Sequence, residues 1–307
     1  MPAGDTMRDG RRGGTPFSLA ISVVAITLVT RVDSVRAADD PADLTYQPAR
    51  HDFSGSTQYT FVNSTGDVRN ASASPNYSYN LHTQVVLQSL SYGFTDALRL
   101  TLALAHSYVD SRYDFESVND SSKRSSEGAA FLALNYRLLN QASQPFNLDL
   151  TVANTGGSIS VSREAEDFAI LARAGVYRYR GGTGLDLTQN VDLAIHETWG
   201  YQTELRSQFR LSPSWSLNLG ATYTSSPFSG SSTASIGGNS FQLKRPDALS
   251  VGLAAIYRIV PDRFSVQLGY QHRFIGQRRD EYADPTRNVV ASNQREDALN
   301  LALIYRF

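Results

Sequence analysis

The side chains able to do chemistry in this sequence are mostly arginines and carboxylates at every second residue, facing away from an apolar or aromatic set. In 199–211, Gln202, Glu204, Arg206 and Arg210 alternate with Tyr201, Leu205, Phe209 and Leu211. Read the same way, Arg99, Asn135, Arg137, Asp149, Arg173, Asp186, Asp192, Arg258, Gln267, Gln271, Arg273 and Arg306 share one polar face. Both signs occur on it, with arginine in excess. Such a set can brace an interior with salt bridges and hydrogen bonds, or form a charged constriction selecting anionic or polar solutes. It does not suit catalysis. The five histidines, His51, His82, His106, His196 and His272, form no tight motif with serine, and adjacent His106 and Ser107 project to opposite faces of a strand. No catalytic residue is assigned. With no cysteine and no His/Glu cluster, no metal site or cofactor is expected; Asp280, Glu281 and Asp284 read as a solvated loop.

The period of two means strands must carry these residues. Twelve are expected, at roughly 53–63, 81–94, 98–109, 128–138, 146–155, 167–179, 184–195, 199–211, 215–225, 247–259, 263–275 and 297–307. The phase shifts within 155–185, so ten or fourteen remain compatible there. Alternation suits a soluble sandwich as well as a membrane barrel. Three features favour the barrel. Short links (95–97, 212–214, 260–262) alternate with long Ser/Asn/Asp-rich ones (65–79, 110–127, 225–245, 276–295), the asymmetry of tight periplasmic turns and outer loops. Aromatic residues gather at the short-turn ends, among them Tyr92, Phe94, Tyr136, Phe146, Phe209, Trp215, Tyr257 and Phe264, as in an interfacial girdle. Finally, Leu299, Leu301, Leu303, Tyr305 and Phe307 project to one face of a terminal strand, which an assembly partner can pair with and grip.

The expected architecture is therefore a single all-β, antiparallel, up-and-down transmembrane barrel of about twelve strands in the outer membrane of a Gram-negative bacterium. Residues 1–37 read as a signal peptide. Arg8, Arg11 and Arg12 form the basic region, 17–30 the apolar stretch, and Val35-Arg36-Ala37 the cleavage site; Met7 is an alternative start. Residues 38–52, with Pro41 and Pro48, read as a periplasmic tail, and 53–307 as the barrel. No apolar run is long enough for a spanning helix. A net charge of −1 gives no basic nucleic-acid surface. The expected partners are outer-membrane lipid, the barrel-assembly machinery and a small solute.

The run Leu90-Ser-Tyr-Gly-Phe-Thr-Asp-Ala-Leu-Arg-Leu-Thr-Leu102 resembles the first periplasmic hairpin of many outer-membrane barrels. With Asn135-Tyr136-Arg137 and the ending Ile304-Tyr-Arg-Phe307, the pattern is similar to the transporter-like barrels linked to the meta-pathway of phenol degradation. That resemblance implies a channel for hydrophobic or aromatic compounds and transfers no binding residue. The His-x-Ser-Asn-Gly arrangement of outer-membrane phospholipases is missing. The functional expectation is passive passage of small solutes. An adhesion barrel acting through its loops, and then a barrel hydrolase, are the alternatives.

Overall fold

The computed structural model describes residues 40–70, 76–115, 118–141, 144–165, 167–180, 197–228, 233–236, 239–243, 247–282 and 289–307. Fifteen strands lie in one sheet: β1 (Phe53–Asn70), β2 (Tyr77–Gly93), β3 (Leu98–Phe115), β4 (Val118–Leu139), β5 (Asn147–Ala153), β6 (Gly156–Ala165), β7 (Phe168–Arg180), β8 (Glu197–Arg210), β9 (Trp215–Phe228), β10 (Thr233–Ile236), β11 (Asn239–Leu243), β12 (Ala248–Val260), β13 (Phe264–Ile275), β14 (Arg278–Tyr282) and β15 (Val289–Arg306). Nine neighbours in sequence, β1 to β9, pair in order and continue through β12 and β13 to β15, which pairs back onto β1. The wall is thus a closed antiparallel barrel of twelve strands. The short strands β10, β11 and β14 pair beside β15 within the outer connections. Closure leaves no sheet edge in the hydrocarbon, where an unpaired backbone group would cost several kcal/mol.

Burial follows the alternation. Leu102, Leu104, Leu132, Val152, Leu205, Leu253, Leu268 and Leu299 are exposed on the outer surface, while Thr101, Ala103, Gln202, Glu204, Ala254 and Asn300 between them are buried. An exposed apolar belt of this extent fits lipid on the outside. At the short-turn ends the girdle expected from sequence is present. Phe53 packs tilted against Tyr92, which meets Phe94 edge to face, Phe168 meets Phe209, and the Trp215 and Tyr257 ring centroids lie 4.8 Å apart.

The strand count agrees with the sequence reading, but the partition differs. β6 was not expected, and the strand expected at 184–195 lies outside the described residues. β7 pairs directly with β8, from Phe168–Phe209 to Arg180–Glu197, and the barrel closes through the described strands. The missed hairpin turns at Asn154-Thr155. Gly156 has φ +146°, and a Cβ there would meet Val176 O at 2.1 Å, so this turn requires glycine. β6 carries few large apolar residues, Ile159 and Val161 among serines, which is why its signal was faint. Several stretches read as long loops are instead strand: β3 and β4 run on to a Phe115–Val118 pair. The residues of that extension, 110–127, are mostly polar, so period two does not show there.

Candidate functional site: the plugged lumen

Within the stretch read as a periplasmic tail, Asp40 and Ala42–Pro48 are buried and Pro41 is partly so. Two turns fold them, with Asp43 N donating to Asp40 O and Tyr46 N to Asp43 O. Inward side chains near the periplasmic ends of the strands then hold them. Arg258 of β12 is the centre: its Nε donates to Asp40 Oδ2, its Nη2 lies 2.6 Å from Asp43 Oδ1, and its Nη1 donates to Ser216 Oγ at 2.7 Å. Arg210 Nη2 reaches Asp43 Oδ2 at 3.1 Å. Gln208 receives Leu44 N and donates to Ala42 O, and Thr45 Oγ1 donates to Glu164 Oε2 at 2.7 Å. The acids and arginines compensate each other in a desolvated place, where an unpaired charge would be costly. Burial pushes the Asp40 carboxyl above its ordinary 3.8, against the pull of the Ala42 amide and Arg258.

The segment leaves the lumen over the first periplasmic turn. His51 N donates to Gly93 O, Gly93 N to Asp52 O, and Arg50 N to Asp96 Oδ1 at 3.0 Å. A Cβ on Gly93 would stand 2.2 Å from Ala49 O and 2.7 Å from Pro48 O, so only glycine lets the backbone pass this closely. His51 takes a left-handed φ of 67° at the bend and its Nδ1 meets Tyr92 OH at 2.8 Å. The Tyr-Gly-Phe-Thr-Asp run singled out in the sequence is therefore the clasp of the plug.

Above the plug lies a cavity of about 180 Å³. Its floor is Pro41–Leu44 and its wall includes Ser54, Ser56, Gln58, Arg99, Glu204, Arg206, Asn218, Gly220, Gly252, Gln267 and Asn300. A separate buried apolar cluster, Val62, Val85, Leu87, Ala103, Ala105 and Phe131, occupies the inner faces of β1–β4 without lining that cavity.

Of the expected inward residues, Arg99, Arg137, Asp149, Glu204, Arg258 and Arg273 are buried, and Arg173, Arg206 and Arg210 are partly so. Arg137 grips Asp149 through two bonds of 2.8 and 3.1 Å. Glu204 takes Arg173 at 3.3 Å and Arg206 at 2.6 Å. Arg273 pairs with Glu296 at 3.1 Å. Asp186 and Asp192 lie outside the described residues. On β15, Leu299, Leu301, Leu303 and Phe307 are exposed outward, and Tyr305 is half-buried against Gly55 of β1. Among the histidines, His51 faces Tyr92 and Arg50, His82 stacks on Phe61, and His272 bonds Asp297; His196 lies outside the described residues. Among the described residues no group of three metal-ligating side chains occurs.

Sequence reasoning placed Gln208 on the polar face but missed Asp40, Asp43 and Glu164, which make plug contacts alongside it. A usable signal existed: an inward face rich in arginine needs carboxylates from elsewhere, and the nearest unassigned ones were in 38–52.

No protein-family model and no curated protein sequence matches the chain. Solved structures do. The translocator domain of the autotransporter NalP from Neisseria meningitidis superposes with a TM-score of 0.53 at 12% identity, over 96% of this chain and 100% of that one. An outer-membrane channel from Pseudomonas putida F1 superposes at 0.50 and 15% identity, over 87% and 99%. Two proteins of different work share this shape, so the likeness speaks to fold. Together with the closed wall and apolar belt, it shows that the chain has the fold of an outer-membrane β-barrel.

Proposed function

We propose that this barrel is a passive outer-membrane channel for small solutes, narrowed at its periplasmic mouth by Asp40–Pro48. The observation that carries the reading is a cavity of about 180 Å³ with a largely polar wall, standing directly on a plug held by side-chain ion pairs and hydrogen bonds. Such bonds exchange with water at a small net free-energy difference, on the order of 1 kcal/mol each, so the plug can loosen without unfolding the wall. The Pseudomonas protein, itself a channel, supports the same reading. In this view Arg137–Asp149 and Glu204 with its two arginines brace the wall. The terminal strand 299–307, closing against β1, serves as the handle for the assembly machinery, and lipid covers the belt. Planar-bilayer recording on the purified, refolded chain tests the channel: discrete ion-current steps support it, and a folded barrel that passes no ion contradicts it.

A further inference from the structure

The plug is held at a place that the wall itself builds. Register sets Arg210 of β8 beside Ser216 of β9, and Ser216 beside Ile256 of β12, so Arg258 follows two residues further along the same inward face. Three neighbouring strands thus fix two guanidinium groups and a hydroxyl around one point. Each guanidinium nitrogen of Arg258 is in use: Nε on Asp40 Oδ2, Nη2 on Asp43 Oδ1 at 2.6 Å and Nη1 on Ser216 Oγ at 2.7 Å. The other oxygen of Asp43 lies 3.1 Å from Arg210 Nη2, so one carboxylate bridges the two guanidiniums. Asp40 and Asp43 come from a single turn, in which Asp43 N donates to Asp40 O and Ala42 N to Asp40 Oδ1. Undocking removes both negative charges together. Glu164, 3.9 Å from Arg210, is the acid of this group that stays on the wall.

We infer that Arg210, Ser216 and Arg258 form a binding site for a small dicarboxylate, whose place Asp40 and Asp43 take when the plug is docked; this rests on the channel reading above. The side edge of a guanidinium, Nε with Nη2, is one that a single carboxylate takes through two parallel bonds. The plug divides that edge between two acids, so a free carboxylate can make both bonds alone. A second carboxylate a few bonds away then reaches Arg210. A neutral solute would leave both guanidiniums without a counter-charge, and a monocarboxylate would leave one. Arg258 is 4% exposed, so its nitrogens open to a solute only as the turn lifts away. Solute and plug therefore exclude each other, and a solute that binds the undocked form draws the channel toward it. The plug competes as a tethered ligand, at an effective concentration on the order of millimolar.

Single-channel recording with succinate, acetate and butanediol at constant ionic strength tests the site. In the variant lacking residues 40–46 the arginines stand open. Succinate should interrupt its current at a half-blocking concentration about tenfold or more below the other two probes. Adding Arg258→Met should raise that concentration at least about tenfold. Arg210→Gln should do the same, and its more exposed side chain makes it the gentler change to the wall. On the full chain in membranes, succinate should speed protease cleavage within 40–46 about tenfold, while acetate and butanediol leave it unchanged. Equal block by the three probes, preference for acetate or butanediol, or block unaltered by both arginine variants would overturn the site. Cleavage of the full chain that ignores succinate would overturn the competition with the plug. Each of these leaves the channel standing. Heat-modifiable, folded barrels that pass no ion would overturn both readings.

Discussion

Arg258 Nη2 lies 2.6 Å from Asp43 Oδ1, and the same guanidinium also holds Asp40 and Ser216. One side chain of the wall therefore fastens two carboxylates of the plug. Replacing it by methionine would leave both acids buried and without that cation, a change that typically costs about 3–5 kcal/mol. We expect Arg258→Met to undock the segment while the barrel stays closed. Protease cleavage within 40–46 of the membrane-embedded protein should become fast, with heat-modifiable migration retained.

The pH response of the plug has a definite sign at Asp40. Its carboxyl in the docked plug titrates above the ordinary 3.8, mainly because of burial. The docked form thus holds that proton more tightly than the free form does. Its contribution favours docking fully below the ordinary value, and is lost as pH rises through the raised one. Exchange protection of the Ala42 and Leu44 amides should carry a component that declines as pH rises above about 4. Asp40→Asn, neutral at every pH, should remove that component and keep the segment docked.

Gly93 tests the clasp separately from the ion pairs. A Cβ placed 2.2 Å from Ala49 O forces the backbone of the segment away. Gly93→Val should raise exchange at the His51 amide, which bonds Gly93 O, and should increase single-channel conductance. Unchanged His51 protection in the variant would show that the clasp does not position the plug.

The pair Arg137–Asp149 has little exposure on either side chain, and no plug residue takes part in its two bonds. Arg137→Met alone should lower unfolding stability in lipid by about 3–5 kcal/mol. Adding Asp149→Leu should restore most of it, as apolar replacement of a whole buried pair is often neutral. Urea titration with the double-mutant cycle measures this, and conductance should change little.

Much of the wall was legible from sequence because lipid imposes a rule on every second residue. Leu102, Leu104, Leu299 and Leu301 must be apolar where they meet hydrocarbon, so period two shows. The rule lapses in three places. β6 is mostly small and polar, so its phase is faint. The extension of β3 and β4 to Phe115 and Val118 is mostly polar in sequence, and read as loop. Asp40–Pro48 are held in large part by residues more than a hundred positions away, such as Arg258 on Asp43, and no local pattern encodes such a pairing.

The central claim, a channel whose mouth the N-terminal segment narrows, is tested most directly by single-channel conductance of the full chain against a variant lacking residues 40–46. We expect small current steps from the full chain and steps severalfold larger from the shortened one, with both barrels heat-modifiable. Equal steps from the two would contradict the plug, and a folded, shortened barrel that passes no current would contradict the channel itself.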